Sequence, residues 1–104
     1  MKVNKIIKRI YKLDSLDKEK VLAKFTKLIE ETGELGAEIL LLEGYKYNKE
    51  NKSEVQIKLD ALDECADIFI MLMVVSKTLG FDFKDIIKSS NRKLNKWEFQ
   101  IKNN

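Results

Sequence analysis

The sequence predicts an all-α protein of a single domain, built as a four-helix bundle. Three observations predict it. Proline is absent and only four glycines occur in 104 residues, so few points force a helix to stop. Apolar residues recur at helical spacing in four separate segments. The one long polar stretch, GYKYNKENKSE at residues 44–54, has the composition of a loop. With 44% apolar and 36% charged residues the balance is that of a folded chain, and residues 1–104 form one domain with its core at about 16–97.

Val3, Ile6, Ile7, Ile10 and Tyr11 predict a short first helix over residues 3–13. Asp14 or Ser15 then suits the cap of a second helix, from about Leu16 to about Tyr45. Its apolar positions are Val21, Leu22, Phe25, Leu28, Leu35, Ile39 and Leu42. Gly33 and Gly36 lie inside this pattern, each at a cost of about 1 kcal/mol relative to alanine. Two readings of them stand: close approach by another helix or a ligand, or a tolerated kink. Ser53 is expected to cap a third helix, from about Glu54 to Leu79, which Gly80 ends at the C′ position. Asp82 is expected to cap a fourth, carrying Phe83, Ile86, Ile87, Leu94 and Trp97, with a fraying tail, KWEFQIKNN. Between Ile68 and Val75 the third helix is apolar nearly all round, so it must be covered on every side. Three partner helices of this size fall short, and a homodimer or homotetramer is expected.

Several classes are excluded. A net charge of +3, with lysines spread along the chain and no recognition motif, predicts no nucleic-acid partner. The apolar run from Ile68 to Val75 is far short of a membrane span and no signal peptide is visible, so no membrane association is expected. One cysteine allows no internal disulfide, which fits a reduced, cytoplasmic setting. Cys65 lies between acidic residues without any histidine in the chain, and reads as a packing residue.

The unusual feature is acid on apolar faces. IEETGELGAE, residues 29–38, sets Glu30, Glu31, Glu34 and Glu38 within the second helix. At about 100° per residue, Glu31 falls about 60° and Glu38 about 80° from Leu28, with Glu34 about 120° away at the stripe's edge. Glu30 is offset and suits a supporting role. In LDALDECADIFIMLMVV, Glu64 shares a face with Asp60, Asp67, Met71 and Val75, while Asp63 is less well aligned. A carboxylate in an apolar setting is costly when charged, and several facing each other repel. Divalent cations between the two helices relieve both costs. Oxygen donors suit Mg²⁺ or Mn²⁺, and the lack of histidine and of paired cysteines argues against zinc. The competing reading is that each acid is an ordinary solvated helix residue. Against it, Glu31-Thr-Gly-Glu34 and Glu64-Cys-Ala-Asp67 both set acids three apart, on one face, beside apolar stripes.

KLIEETGELGAE followed by DECADIFIML resembles the all-α nucleoside triphosphate pyrophosphohydrolase superfamily, the MazG-like proteins and dimeric dUTPases. The family signature is Glu-x-x-Glu, a spacer, then Glu-x-x-Asp, here Glu31, Glu34, Glu64 and Asp67. The pattern KLxEExGEL matches from Lys27 to Leu35 and ExxDxxIML from Glu64 to Leu72, within a likeness over roughly residues 20–97. The resemblance implies a helical bundle of MazG-like type, completed by oligomerisation. It implies Mg²⁺-dependent hydrolysis of a nucleoside or deoxynucleoside triphosphate to the monophosphate and pyrophosphate, with Mn²⁺ as an alternative ion. Glu31, Glu34, Glu64 and Asp67 would be the metal ligands. A metal-activated water would attack the α-phosphorus, with Glu30 or Glu38 orienting it or serving as general base. Family members often carry a fourth-helix lysine that reaches substrate phosphates. Lys93 is the best match, with Asn91, Asn95 and Lys96 nearby. Alternatives are another pyrophosphate-linked substrate, such as phosphoribosyl-ATP, a dinucleotide or an alarmone, a preference for dUTP, and a non-enzymatic bundle that binds other proteins.

Overall fold

A computed structural model describes residues 2–104. Its helices are α1 (Val3–Leu16), α2 (Val21–Leu42), α3 (Glu54–Thr78) and α4 (Phe83–Lys102), and no strand occurs among the described residues. Among the same residues, no helix is long and apolar enough to cross a membrane.

Local signals set four of the eight helix ends. Ser53 Oγ accepts the Gln56 N–H at 3.1 Å and caps α3 as expected. Gly80 adopts φ 94°, and the N–H groups of Gly80 and Phe81 turn back to the carbonyls of Lys77 and Ser76 at 2.9 and 3.0 Å. Gly44, at φ 79°, ends α2 in the same way, which stops that helix at Leu42 rather than near Tyr45. Asp82 occupies the N-cap position of α4, and its N–H donates to Asp85 Oδ2 at 2.9 Å.

Two boundaries differ from the sequence expectation. Neither Asp14 nor Ser15 caps α2, because α1 runs on through both to Leu16 and α2 begins at Val21. Ser15 Oγ donates to the Lys12 carbonyl at 2.6 Å, and Asp14 is taken up by Lys24 of α2. The α4 tail does not fray: the helix continues to Lys102, where Lys102 Nζ meets Glu98 Oε1 one turn back at 2.6 Å.

The long pair α2 and α3 forms the body of the fold, with α1 laid against α3. Ile7 and Ile10 of α1 meet Met73 and Val74 of α3 in the buried core, with Ile6, Tyr11, Met71, Phe83 and Ile86 around it. α4 joins this core through Phe83 and Ile86, at its first turn. Farther along, Leu94, Trp97, Phe99 and Ile101 are exposed, Trp97 at 60%. The Cα radius of gyration is 16.8 Å, whereas a compact chain of 100 residues has about 13 Å. One chain therefore does not close the bundle on all sides. Val21, Leu22, Phe25, Ile39 and Leu42 of α2 stay exposed, as do Phe69, Ile70 and Leu72 of α3. Cys65, expected in packing, is exposed as well.

One polar contact lies inside. Lys24 is 6% exposed, and its Nζ donates to Asp14 Oδ1 at 2.6 Å, tying α2 to the end of α1. The Asp14 hydrogen bond outweighs burial and raises the Lys24 pKa above its ordinary value. Asp14→Ala strands a buried ammonium, so chemical denaturation should show a loss of about 1–3 kcal/mol. Glu98→Ala breaks only the exposed pair with Lys102 and should cost about 0.5 kcal/mol or less.

Candidate metal centre

Glu31, Glu34 and Glu38 follow one another at helical turns along α2, and Asp60 and Glu64 do the same along α3. The two helices run antiparallel. Glu34 lies near Glu64, whereas Glu38, one turn later on α2, shares a partner with Asp60, one turn earlier on α3. The result is a seam of acids along the line where α2 and α3 pack.

Carboxylate oxygens of Glu31, Glu34 and Glu64 all lie within 4.8 Å of one another, Glu31 and Glu64 half-buried and Glu34 exposed. Glu31 Oε2, Glu38 Oε2 and Glu64 Oε2 are buried without a hydrogen-bond partner. Ionised carboxylates only accept, so Glu31, Glu34 and Glu64 cannot satisfy one another while all are charged. The neighbouring Glu31 carboxyl, then burial, then Glu34 raise the Glu64 pKa from 4.5 to about 7.

The Glu38 end is different. Lys52, from the α2–α3 loop, brings its Nζ to 2.8 Å from Asp60 Oδ2 and 3.8 Å from Glu38 Oε1. Gln56 Nε2 donates to the other Asp60 oxygen at 2.8 Å. The Lys52 hydrogen bond, and then that of Gln56, hold the Asp60 carboxyl below its ordinary pKa. Nothing in the sequence periodicity marked Lys52. Asp60, an acid on a packing face in need of a cation, was the one signal for it.

The remaining candidates lie apart. Asp67 is exposed and does not join the group formed by Glu31, Glu34 and Glu64. Glu30 and Asp63 are exposed. Asn91, Lys93, Asn95 and Lys96 are exposed on α4, and no hydrogen bond or ion pair links them to the seam among the described residues. A Cβ at Gly33 or Gly36 would meet no atom within 4 Å, so neither glycine admits a close neighbour from this chain.

Three close carboxylates, two of them with a buried oxygen that no donor reaches, form a donor set that fits a hard divalent cation such as Mg²⁺ or Mn²⁺. The chain matches no protein-family model, no curated protein and no solved structure.

The raised Glu64 pKa gives a signed pH dependence. Between pH 4.5 and about 7 the folded chain binds more protons at Glu64 than the unfolded chain does. Raising pH through that window therefore destabilises the metal-free fold. In EDTA the melting temperature should fall across it, and Glu64→Gln, which needs no proton, should flatten the decline.

Proposed function

We propose that this chain is a Mg²⁺-dependent nucleoside triphosphate pyrophosphohydrolase of the MazG-like kind, releasing pyrophosphate and a nucleoside monophosphate. The observation that carries the reading is the meeting of Glu31, Glu34 and Glu64, residues of a Glu-x-x-Glu and Glu-x-x-Asp pair, within 4.8 Å across two helices. Glu31, Glu34 and Glu64 would hold the ion, with Asp67 the fourth residue of the paired motif. When bound, Mg²⁺ supplies charge neutralisation for the triphosphate and acidifies a water.

The chain's own groups then have separate tasks. Glu38 is half-buried on the seam with Oε2 free of donors, whereas Glu30 is exposed, so Glu38 is the better proton acceptor. Glu64 would hold the ion only in its ionised form, since cation and proton compete for the same oxygens. Lys93 and Lys96, with Asn91 and Asn95, would meet the phosphates from α4 of a neighbouring copy. Two surfaces of the chain would offer an apolar contact to such a copy. One is the α4 stripe with Leu94, Trp97 and Ile101. The other would be a cleft of about 440 Å³ between α1 and α3, whose apolar lining from Ile6, Ile10 and Val74 is joined by the charged Arg9, Asp14 and Asp17.

Purified protein with Mg²⁺ and a panel of nucleotides should release pyrophosphate and monophosphate. Orthophosphate alone would contradict cleavage between the α and β positions, and turnover of phosphoribosyl-ATP, a dinucleotide or an alarmone alone would redirect the substrate class. Glu64→Gln keeps the side chain's shape and should lower turnover by at least about 10–100-fold while remaining folded. Light scattering should give a mass at a multiple of 12.2 kDa. Trp97→Glu, which puts a charge into the stripe, should return it to a monomer.

A further inference from the structure

We propose that Lys52 is a built-in cation that stands where a second metal ion would otherwise sit, dividing the α2–α3 seam into a self-neutralised half and a metal-binding half. The inference rests on the metal reading above and adds the number of ions and the residue that limits it.

Five carboxylates face the seam: Glu31, Glu34 and Glu38 from α2, and Asp60 and Glu64 from α3. Only two of them receive a positive charge from the chain. Lys52 Nζ sits 2.8 Å from Asp60 and 3.8 Å from Glu38, with the exposed Glu50 at 4.0 Å on its outer side. No ion pair reaches Glu31, Glu34 or Glu64 among the described residues.

The backbone of Lys52 is fixed by its own loop, and its ammonium donates to Asp60. Asn48 Oδ1 accepts the Lys52 N–H at 3.0 Å, and Asn48 Nδ2 donates to the Lys52 carbonyl at 2.9 Å. The loop passes between these contacts through Asn51, at φ 51° in the left-handed region that asparagine tolerates. With Gln56 on its second oxygen, Asp60 has both oxygens occupied. Such a carboxylate has little left to offer a metal. A tethered ammonium also costs less to place than Mg²⁺, which gives up its water reluctantly. Glu38, more loosely paired, keeps Oε2 free, as a proton acceptor that must not itself become a ligand.

The demand for external cation is thereby confined to Glu31, Glu34 and Glu64, and each chain takes one divalent ion. Removal of the Lys52 charge leaves Glu38 and Asp60 facing each other uncompensated, the same situation that draws an ion at the other end.

The test counts Mn²⁺ bound per chain, by electron paramagnetic resonance of free Mn²⁺ and by calorimetric titration. The expected result is one ion in the wild type, two in Lys52→Met and one in Lys52→Arg, with circular dichroism checking the fold of each. Asp60→Asn supplies a second test if Lys52→Met does not fold: it should still bind one ion, since Asp60 is not a ligand. Two ions in the wild type, one in folded Lys52→Met, or loss of the ion in Asp60→Asn would overturn the proposal alone. No bound Mn²⁺ in the wild type would overturn it together with the metal reading.

Discussion

Negative charge held against an apolar helix contact is the constraint on which the arrangement turns. Residues three and four apart share a helix face, so Glu31 and Glu38 ride on the side of α2 that carries the half-buried Leu28 and Leu35. Rotating α2 to release the acids would lift those leucines out as well. The acids are held in place by their neighbours' hydrophobicity, and the fold must reduce their repulsion where they stand. At Glu38 and Asp60 it does so with an ammonium. At Glu64 the neighbouring acids and burial instead push the carboxyl pKa up to about 7.

What could be read from the sequence was what is encoded locally. Ser53, Gly80 and Asp82 mark helix ends through contacts with residues three to five positions away, and they sit where their chemistry puts them. The α1–α2 junction could not be read so. Asp14 and Ser15 are cap-type residues, yet Asp14 is engaged by Lys24, ten positions on, and helical spacing does not show that pairing. At the centre, periodicity combined with apolar neighbours selected Glu31, Glu34 and Glu64. It also selected Asp67, because a wheel gives a direction and no reach. Aspartate is one methylene shorter than glutamate, so a shared angle does not bring its carboxylate to the same point. The α4 residues were placed by motif alone, and spacing within a helix is silent about where that helix lies.

The incomplete closure of the chain has a legible cause. The sequence writes apolar stripes on all four helices, but the connection after Gly80 directs α4 away once Phe83 and Ile86 have met the core. Surfaces that a compact bundle would hide therefore remain open on α2, α3 and α4 together. The two ends of the α2–α3 pair also differ in character. One joins an apolar core with α1, and the other is a polar knot of loop and acids around Lys52.

The ion pair between Asp14 and Lys24 has a consequence for how the molecule comes apart. A first helix attached by a few isoleucines would ordinarily peel away as an independent appendage, melting before the rest. Here detachment leaves a lone ammonium without its counter-ion inside α2, a penalty felt by the helix left behind. The buried pair thus couples the seating of α1 to the integrity of α2.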